Sequence, residues 1–269
     1  TTDQTLMILG SAEAGSRVTV YIGGVSIGTT MSNGSGNWSY DHTGTTLAEG
    51  SYSVTAIAMD TAGNNSRASG SFTVIIDRTA PSIPSVASIS TDNGASSTDE
   101  ITTDQTLVFS GTAEANSTVE VFIGGVSVGS TTAGGTGDWN YDHTGTTLAE
   151  GTYSITAEAT DAAGNTSSTS AALAVVIDLT APNAPVVASI TSDNGLSNTD
   201  EITNDQTLEI SGTAEANSTV EVFIGGVSIG TTTTNGTGNW TYDYTGTTLA
   251  AGNYSITATA TDAANNTSN

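Results

Sequence analysis

Trp38, Trp139 and Trp240 stand 101 residues apart, and so do Asp3, Asp104 and Asp205. Residues 84–168 align with residues 185–269 without a gap, and about three quarters of the positions are identical. A strict period near 100 residues is one domain per repeat, too long for the turn of a solenoid. The period divides the chain into 1–78, 79–179 and 180–269. Only the middle unit carries every segment of the pattern. The first begins without its opening strand and the third stops without its closing one.

Within the middle unit the apolar residues alternate, as in a sheet with one buried face. Residues 86–89 form a first strand, A. Strand B, 107–112, points Leu107 and Phe109 inward, matched by Leu6 and Ile8 and by Leu208 and Ile210. Its outward positions vary freely (Met7, Val108, Glu209), as a solvated face allows. Strand C places Val119, Val121 and Ile123 inward, and Gly124-Gly125 supplies the positive φ of a two-residue hairpin. Trp139 and Tyr141 share a later strand. Tyr153 opens strand F in the manner of a tyrosine corner, and Leu173, Val175 and Ile177 make strand G. About seven short strands per hundred residues, with no helical stretch, predict an all-β chain of tandem immunoglobulin-like Greek-key sandwiches strung into an elongated rod.

Composition narrows the chemistry. The net charge is −24, from 27 Asp and Glu against three basic residues, Arg17, Arg67 and Arg78. Nucleic acid is excluded as a partner, because phosphate binding needs a basic surface. Cysteine and lysine are absent, which removes disulfides, zinc–thiolate sites, Schiff bases and a P-loop. No run of about 18 apolar residues exists, so nothing here inserts in a membrane as a helix, and no signal-peptide pattern opens the chain. The sequence starts in mid-pattern, as a piece of something longer does. High charge alone can mean disorder, but 36% hydrophobic residues in clean alternation argue for a folded chain.

All four prolines lie in two links, Asp77-Arg78-Thr79-Ala80-Pro81 with Pro84, and Asp178-Leu179-Thr180-Ala181-Pro182 with Pro185. Proline fixes φ and extends the residue before it, so each link is stiff. In a sandwich alternate loops gather at opposite poles. The B–C loop with Glu114 and the F–G loop with Asp161 therefore face the preceding unit, and Asp77 should approach both. By the same geometry Asp178 should approach Glu215 and Asp262. Three carboxylates at one junction repel by about 1 kcal/mol per pair at 4 Å in bulk water and about 4 at an effective dielectric of 20. Ca²⁺, which takes 6–8 oxygen ligands, would offset that, with Asn165, Asn266 and link carbonyls completing the shell. The A–B loop is a second candidate, with Asp92-Asn93-Gly94 and Asp99-Glu100 repeated as Asp193-Asn194-Gly195 and Asp200-Glu201. It lacks EF-hand spacing and flanking helices. The plainer readings stand beside these: Asp-Asn-Gly is foremost a turn former, and Asp161 could simply cap a turn.

Other residues invite chemistry less strongly. His42 and His143 suggest zinc or catalysis, but the third unit has Tyr244 there, so we read them as surface residues. Trp139 with Tyr141 could be a sugar-stacking platform; we read them as core and rim. Asn-x-Ser/Thr triplets are too easily formed in so Ser- and Thr-rich a chain to be informative.

Four motifs carry a family resemblance. They are Gly-Thr-Ala-Glu before a Val-x-Val strand (residues 111–121), Thr-Asp-Ala-Ala-Gly-Asn (160–165), Ile-Asp-x-Thr-Ala-Pro-x-x-Pro (177–185) and Asp-Asn-Gly with Thr-Asp-x-Ile-Thr (193–203). Together they resemble the bacterial Ig-like repeats that build the extender regions of giant adhesins secreted by type I systems, including biofilm-associated and RTX adhesins. The resemblance spans the whole chain. It implies a cell-surface location and Ca²⁺ at and near the domain junctions. Carried over, the junction ligands fall on Asp77, Glu114 and Asp161, then Asp178, Glu215 and Asp262. The loop ligands fall on Asp92 and Asp99, then Asp193 and Asp200. The first unit has Glu13 and Asp60 with no unit before them, so that site should be incomplete. Asn265 stands where the second unit has Gly164; Asn tolerates left-handed geometry, so the turn should survive.

The function expected is mechanical: a spacer whose partners are calcium ions and its own neighbouring repeats. The alternative is a binding module whose exposed face around Phe122 and Trp139 grips glycan or a second copy of the chain. An enzyme is disfavoured, because carboxylate pairs repeated three times on small sandwiches come with no groove-forming insertion.

Overall fold

The computed structural model describes all 269 residues, Thr1–Asn269. It is entirely β, with 20 strands and no helix. The first unit holds β1 (Leu6–Ser11), β2 (Arg17–Ile22), β3 (Val25–Met31), β4 (Asn37–His42), β5 (Gly50–Met59) and β6 (Phe72–Ile76). The second holds β7 (Ser85–Ile89), β8 (Ile101–Thr102), β9 (Val108–Thr112), β10 (Thr118–Ile123), β11 (Val126–Thr132), β12 (Asp138–Asp142), β13 (Gly151–Thr160) and β14 (Leu173–Ile177). The third holds β15 (Val186–Ile190), β16 (Leu208–Thr213), β17 (Thr219–Ile224), β18 (Val227–Thr233), β19 (Asn239–Tyr244) and β20 (Ile256–Thr261).

In the second unit a β12-β9-β7 sheet faces a β11-β10-β13-β14-β8 sheet. The alternation read from the sequence becomes the core between them. Phe109, Val119, Val121, Ile155, Ala157 and Val175 are all fully buried, and Trp139 is 1% exposed. That burial removes Trp139 as a stacking platform and with it the centre of the glycan-gripping face; its ring is a wall of the core. The ring lies over Gly111, where an added Cβ would sit 2.8 Å from the indole and 1.9 Å from the carbonyl oxygen of Ser85 on β7. Glycine there lets β7 pair with β9 and the indole cover the pair at the same time.

The turns follow their chemistry. Gly124 and Gly125 have φ of 59° and 80°, the double positive φ of the favoured hairpin. The Tyr153 hydroxyl donates to the Ala149 carbonyl at 2.9 Å, which makes the corner expected at the start of β13. Where the chain leaves β13 and has not yet joined β14, the hydroxyls of Ser170 and Ser167 accept from the N–H groups of Ala157 and Ala159, both at 3.0 Å. These serines stand in for a missing strand and keep buried donors satisfied.

β8 is not legible in the sequence, since two residues are too few to show alternation. It pairs parallel with β14, and the N–H groups of Val176 and Asp178 donate to the carbonyls of Glu100 and Thr102. The A–B loop is thereby tied to the strand that leads into the link. The first unit pairs β1 with β4 and orders its other sheet β3-β2-β5-β6; the third orders its sheets β15-β16-β19 and β18-β17-β20. Each unit has its own buried cluster, around Trp38, Trp139 and Trp240. The accessible surface of 14276 Å² exceeds the roughly 11,000 Å² of a single compact body of this mass, as three small bodies in series require.

Candidate cation sites at the junctions

Each link turns back on itself before it meets the next unit. The Asp77 carboxylate accepts the Thr79 N–H at 3.1 Å, and the Thr79 hydroxyl donates to Glu49 at 2.7 Å. Asp178, Thr180 and Glu150 repeat this at 3.0 and 2.8 Å. Pro81 and Pro182 are buried behind these turns. The Asp77 and Asp178 side chains therefore serve the link, and it is their backbone carbonyls that face forward. Asn165 Nδ2 donates to the Asp77 carbonyl at 3.2 Å, and Asn266 Nδ2 donates to the Asp178 carbonyl at 3.0 Å.

The F–G turns are built around one aspartate each. Asp161 Oδ1 accepts from the N–H groups of Ala163, Gly164 and Asn165 at 2.7–2.9 Å, and Oδ2 accepts from Asn165 Nδ2 at 2.8 Å. The Asn165 side chain first, and the backbone donors after it, hold the Asp161 carboxyl below the usual range. Asp262 holds Asn266 in the same way, at 2.9 Å to its N–H and 3.0 Å to its amide. Asp60 does so with Asn64. Asp161 does cap its turn, and the cap aims an amide at the neighbouring unit.

Glu13, Glu114 and Glu215 are exposed, and what their turns use is the carbonyl, which accepts the N–H of Ser16, Ser117 or Ser218. No three acidic side chains come together closely enough to hold a metal by themselves. The oxygens that do converge at a junction are the link carbonyl and the capping aspartate, bridged by the asparagine amide. Turning that amide over would present its oxygen to the same point, giving three hard donors.

The A–B loop is gathered around Asp92. Its Oδ2 accepts the N–H groups of Asp99 and Glu100, both at 3.1 Å, and Asp193 repeats this with Asp200 and Glu201. Asn93 Oδ1 accepts the Thr102 hydroxyl at 2.6 Å and the Thr103 N–H at 3.0 Å, which locks the loop to β8. Glu100 has φ of 60°, a left-handed backbone, and is half-buried. Asp92 Oδ1, Glu100 Oε2 and Asp193 Oδ1 are buried and lack any hydrogen-bond donor. Burial first, and then the charges of Asp92 and Asp99, push the Glu100 carboxyl up. Glu100 was visible in the loop's sequence, but its half-buried place beside Asp92 was not; Glu201, with the same positive φ, stays exposed.

The sign of the Glu100 shift gives a test. A carboxyl raised in the fold favours the folded state while protonated. That contribution is complete below its ordinary 4.5 and is lost as pH rises through the raised value. In chelator, Glu100→Gln should raise the melting temperature at neutral pH and flatten its decline between acid and neutral conditions. A melting curve with an unchanged pH profile would remove this account of the loop.

A family model described as bacterial Ig-like domain matches residues 1–78, 79–179 and 180–269. The chain belongs to the bacterial Ig-like domain family. Among solved structures, these bacterial Ig-like repeats are similar to a Ca²⁺-stabilized adhesin that helps an Antarctic bacterium reach out and bind ice. Identity is 29% over 99% of this chain and 67% of that one, with a TM-score of 0.41. They are similar also to a 1.5-MDa bacterial ice-binding adhesin, at 24% identity over 98% and 87% of the two chains, TM-score 0.41. A biofilm-associated protein's BSP domain shares 17% identity over 84% and 42%, with a TM-score of 0.25. No curated protein matches the chain.

Proposed function

We propose that these bacterial Ig-like repeats are a structural spacer of a bacterial cell-surface adhesin of the RTX type. Ca²⁺ stiffens the spacer, which holds a distal binding domain away from the cell in support of adhesion and biofilm formation. The observation that carries the calcium part is the set of buried carboxylate oxygens without donors, Asp92 Oδ1, Glu100 Oε2 and Asp193 Oδ1. Buried anionic oxygens need a proton, a donor or a cation, and a hard cation suits a site made only of oxygens. Asp92 with Asp99 in the second unit, and Asp193 with Asp200 in the third, would hold it, with backbone carbonyls of the loop completing the shell. At the junctions the donors would be the Asp77 carbonyl, Asp161 and Asn165, then the Asp178 carbonyl, Asp262 and Asn266. Glu114 and Glu215 would add carboxylates from the adjoining turns. Glu13 and Asp60 would form the same half-site on the first unit. Bound Ca²⁺ supplies charge neutralisation; the chain supplies the positions of the oxygens.

The spacer reading follows from architecture. Three copies of one sandwich are joined by links that end in buried proline. Extracellular modules bind Ca²⁺ with dissociation constants of about 10⁻⁴–10⁻³ M. At tenfold excess over that constant each site adds about 1.4 kcal/mol to the unit that holds it. Small-angle scattering should give a larger maximum dimension in millimolar Ca²⁺ than in chelator, and the two later units should melt several degrees higher. An identical scattering profile in both buffers sinks the stiffening.

A further inference from the structure

The second junction contains a contact that uses no metal ligand. The Ala95 N–H of the second unit's A–B loop donates to the Ala263 carbonyl in the third unit's F–G turn at 2.8 Å. In return Asn265 Nδ2 donates to the Asn93 carbonyl at 2.9 Å, across 172 residues of sequence. Between these bonds lies Gly94. A Cβ there would stand 2.4 Å from the Ala263 carbonyl oxygen and 2.6 Å from that of Ile101, so only glycine admits the approach. The turn is covered as a result: Ala264 is fully buried and Asp262 is 6% exposed.

We propose that the A–B loop of one repeat is a docking surface for the F–G turn of the next, a latch that orients neighbouring sandwiches without a cation, and that the residue at position 265 sets its strength. Asn265 has φ of 67°, and Gly164 occupies the same place in the second unit with φ of 95°. The left-handed backbone is common to both, so either residue fits the turn, but only asparagine carries the donor. A repeat with asparagine here grips the loop before it by side chain as well as backbone. Glycine at this position would leave the backbone bond alone, so the residue here tunes the latch with a donor that is not itself a cation ligand.

The chain has no cysteine, so two introduced thiols report on one distance only. Ser130→Cys and Thr231→Cys place spin labels on exposed, equivalent positions of β11 and β18. In chelator the parent chain should show one narrow distance distribution. Asn265→Gly should raise the undocked population roughly fivefold, the effect of one neutral hydrogen bond. Gly94→Val should raise it further by blocking both bonds. Because Gly94→Val also presses on Ile101 within its own loop, Asn265→Gly is the arm that leaves the second unit untouched. Distributions unchanged by both variants in chelator overturn the latch. So does a parent distribution that narrows only when calcium is added. A distribution widened by these variants but indifferent to calcium keeps the latch and removes the calcium reading.

Discussion

Trp139→Ala costs the second unit about 3–5 kcal/mol, the price of removing a buried indole from a packed core. A domain of this size has about 5–15 kcal/mol in all, so the loss is a large share of its stability. The indole is the largest fully buried side chain in the unit and packs over Gly111, against the β7–β9 pair. Its Nε1–H has no acceptor, as at Trp38 and Trp240. Trp139→Phe should therefore cost much less than Trp139→Ala, because it also deletes an unsatisfied donor. Denaturant unfolding of the three-unit chain checks this. Trp139→Ala should split off an early transition for the middle unit, and a single unshifted transition would refute the assignment of Trp139 to the core. Since the middle unit carries both links, its loss also uncouples the outer units.

Asp262→Ala should be the most damaging change at a junction. The carboxylate is 6% exposed and holds Asn266 by both its N–H and its amide. Hydrogen bonds to a charged group contribute about 1.5–3 kcal/mol each, so the third unit should lose on the order of 3 kcal/mol. Asn266 also lets go of the Asp178 carbonyl, and the junction loosens. Asp262→Asn separates structure from charge: it keeps the shape, and in chelator it should be milder than alanine. In calcium it should abolish the gain at the second junction while leaving the first responsive. Thermal melts and scattering on both variants, with and without calcium, decide the matter. Equal calcium gains for Asp262→Asn and the parent would exclude Asp262 as a ligand.

Much of this molecule was legible early, and for a local reason. Leu107, Phe109, Val119 and Val121 announce their strands because a strand repeats every two residues, and that period is written in the residues themselves. Gly124-Gly125 announces its hairpin because positive φ selects glycine. Tyr153 could be read as a corner from its place before strand F. The acids lie in loops between the strands, and Asn165 donates its side-chain amide to Asp161.

The direction of each polar group was not legible. Asp77 sits at the junction, yet Thr79 takes its carboxylate, so the backbone carbonyl meets Asn165. Glu114 sits on the right turn, yet its side chain stays in solvent while Ser117 uses its carbonyl. Glu100 has an oxygen buried without a donor while Glu201, with the same left-handed backbone, is exposed, a difference that no local pattern encodes.

By itself the sequence determined the period, the sandwiches, the stiff links and the supply of oxygen ligands, because repetition, alternation, proline and charge each act over a few residues. Only the tertiary structure decided which oxygens converge, that β8 ties the A–B loop to the link strand, and that Gly94 receives the turn of the next unit. Those outcomes depend on which backbone donors each loop leaves unsatisfied and on which neighbour covers them, and both are settled by residues as much as 172 positions apart.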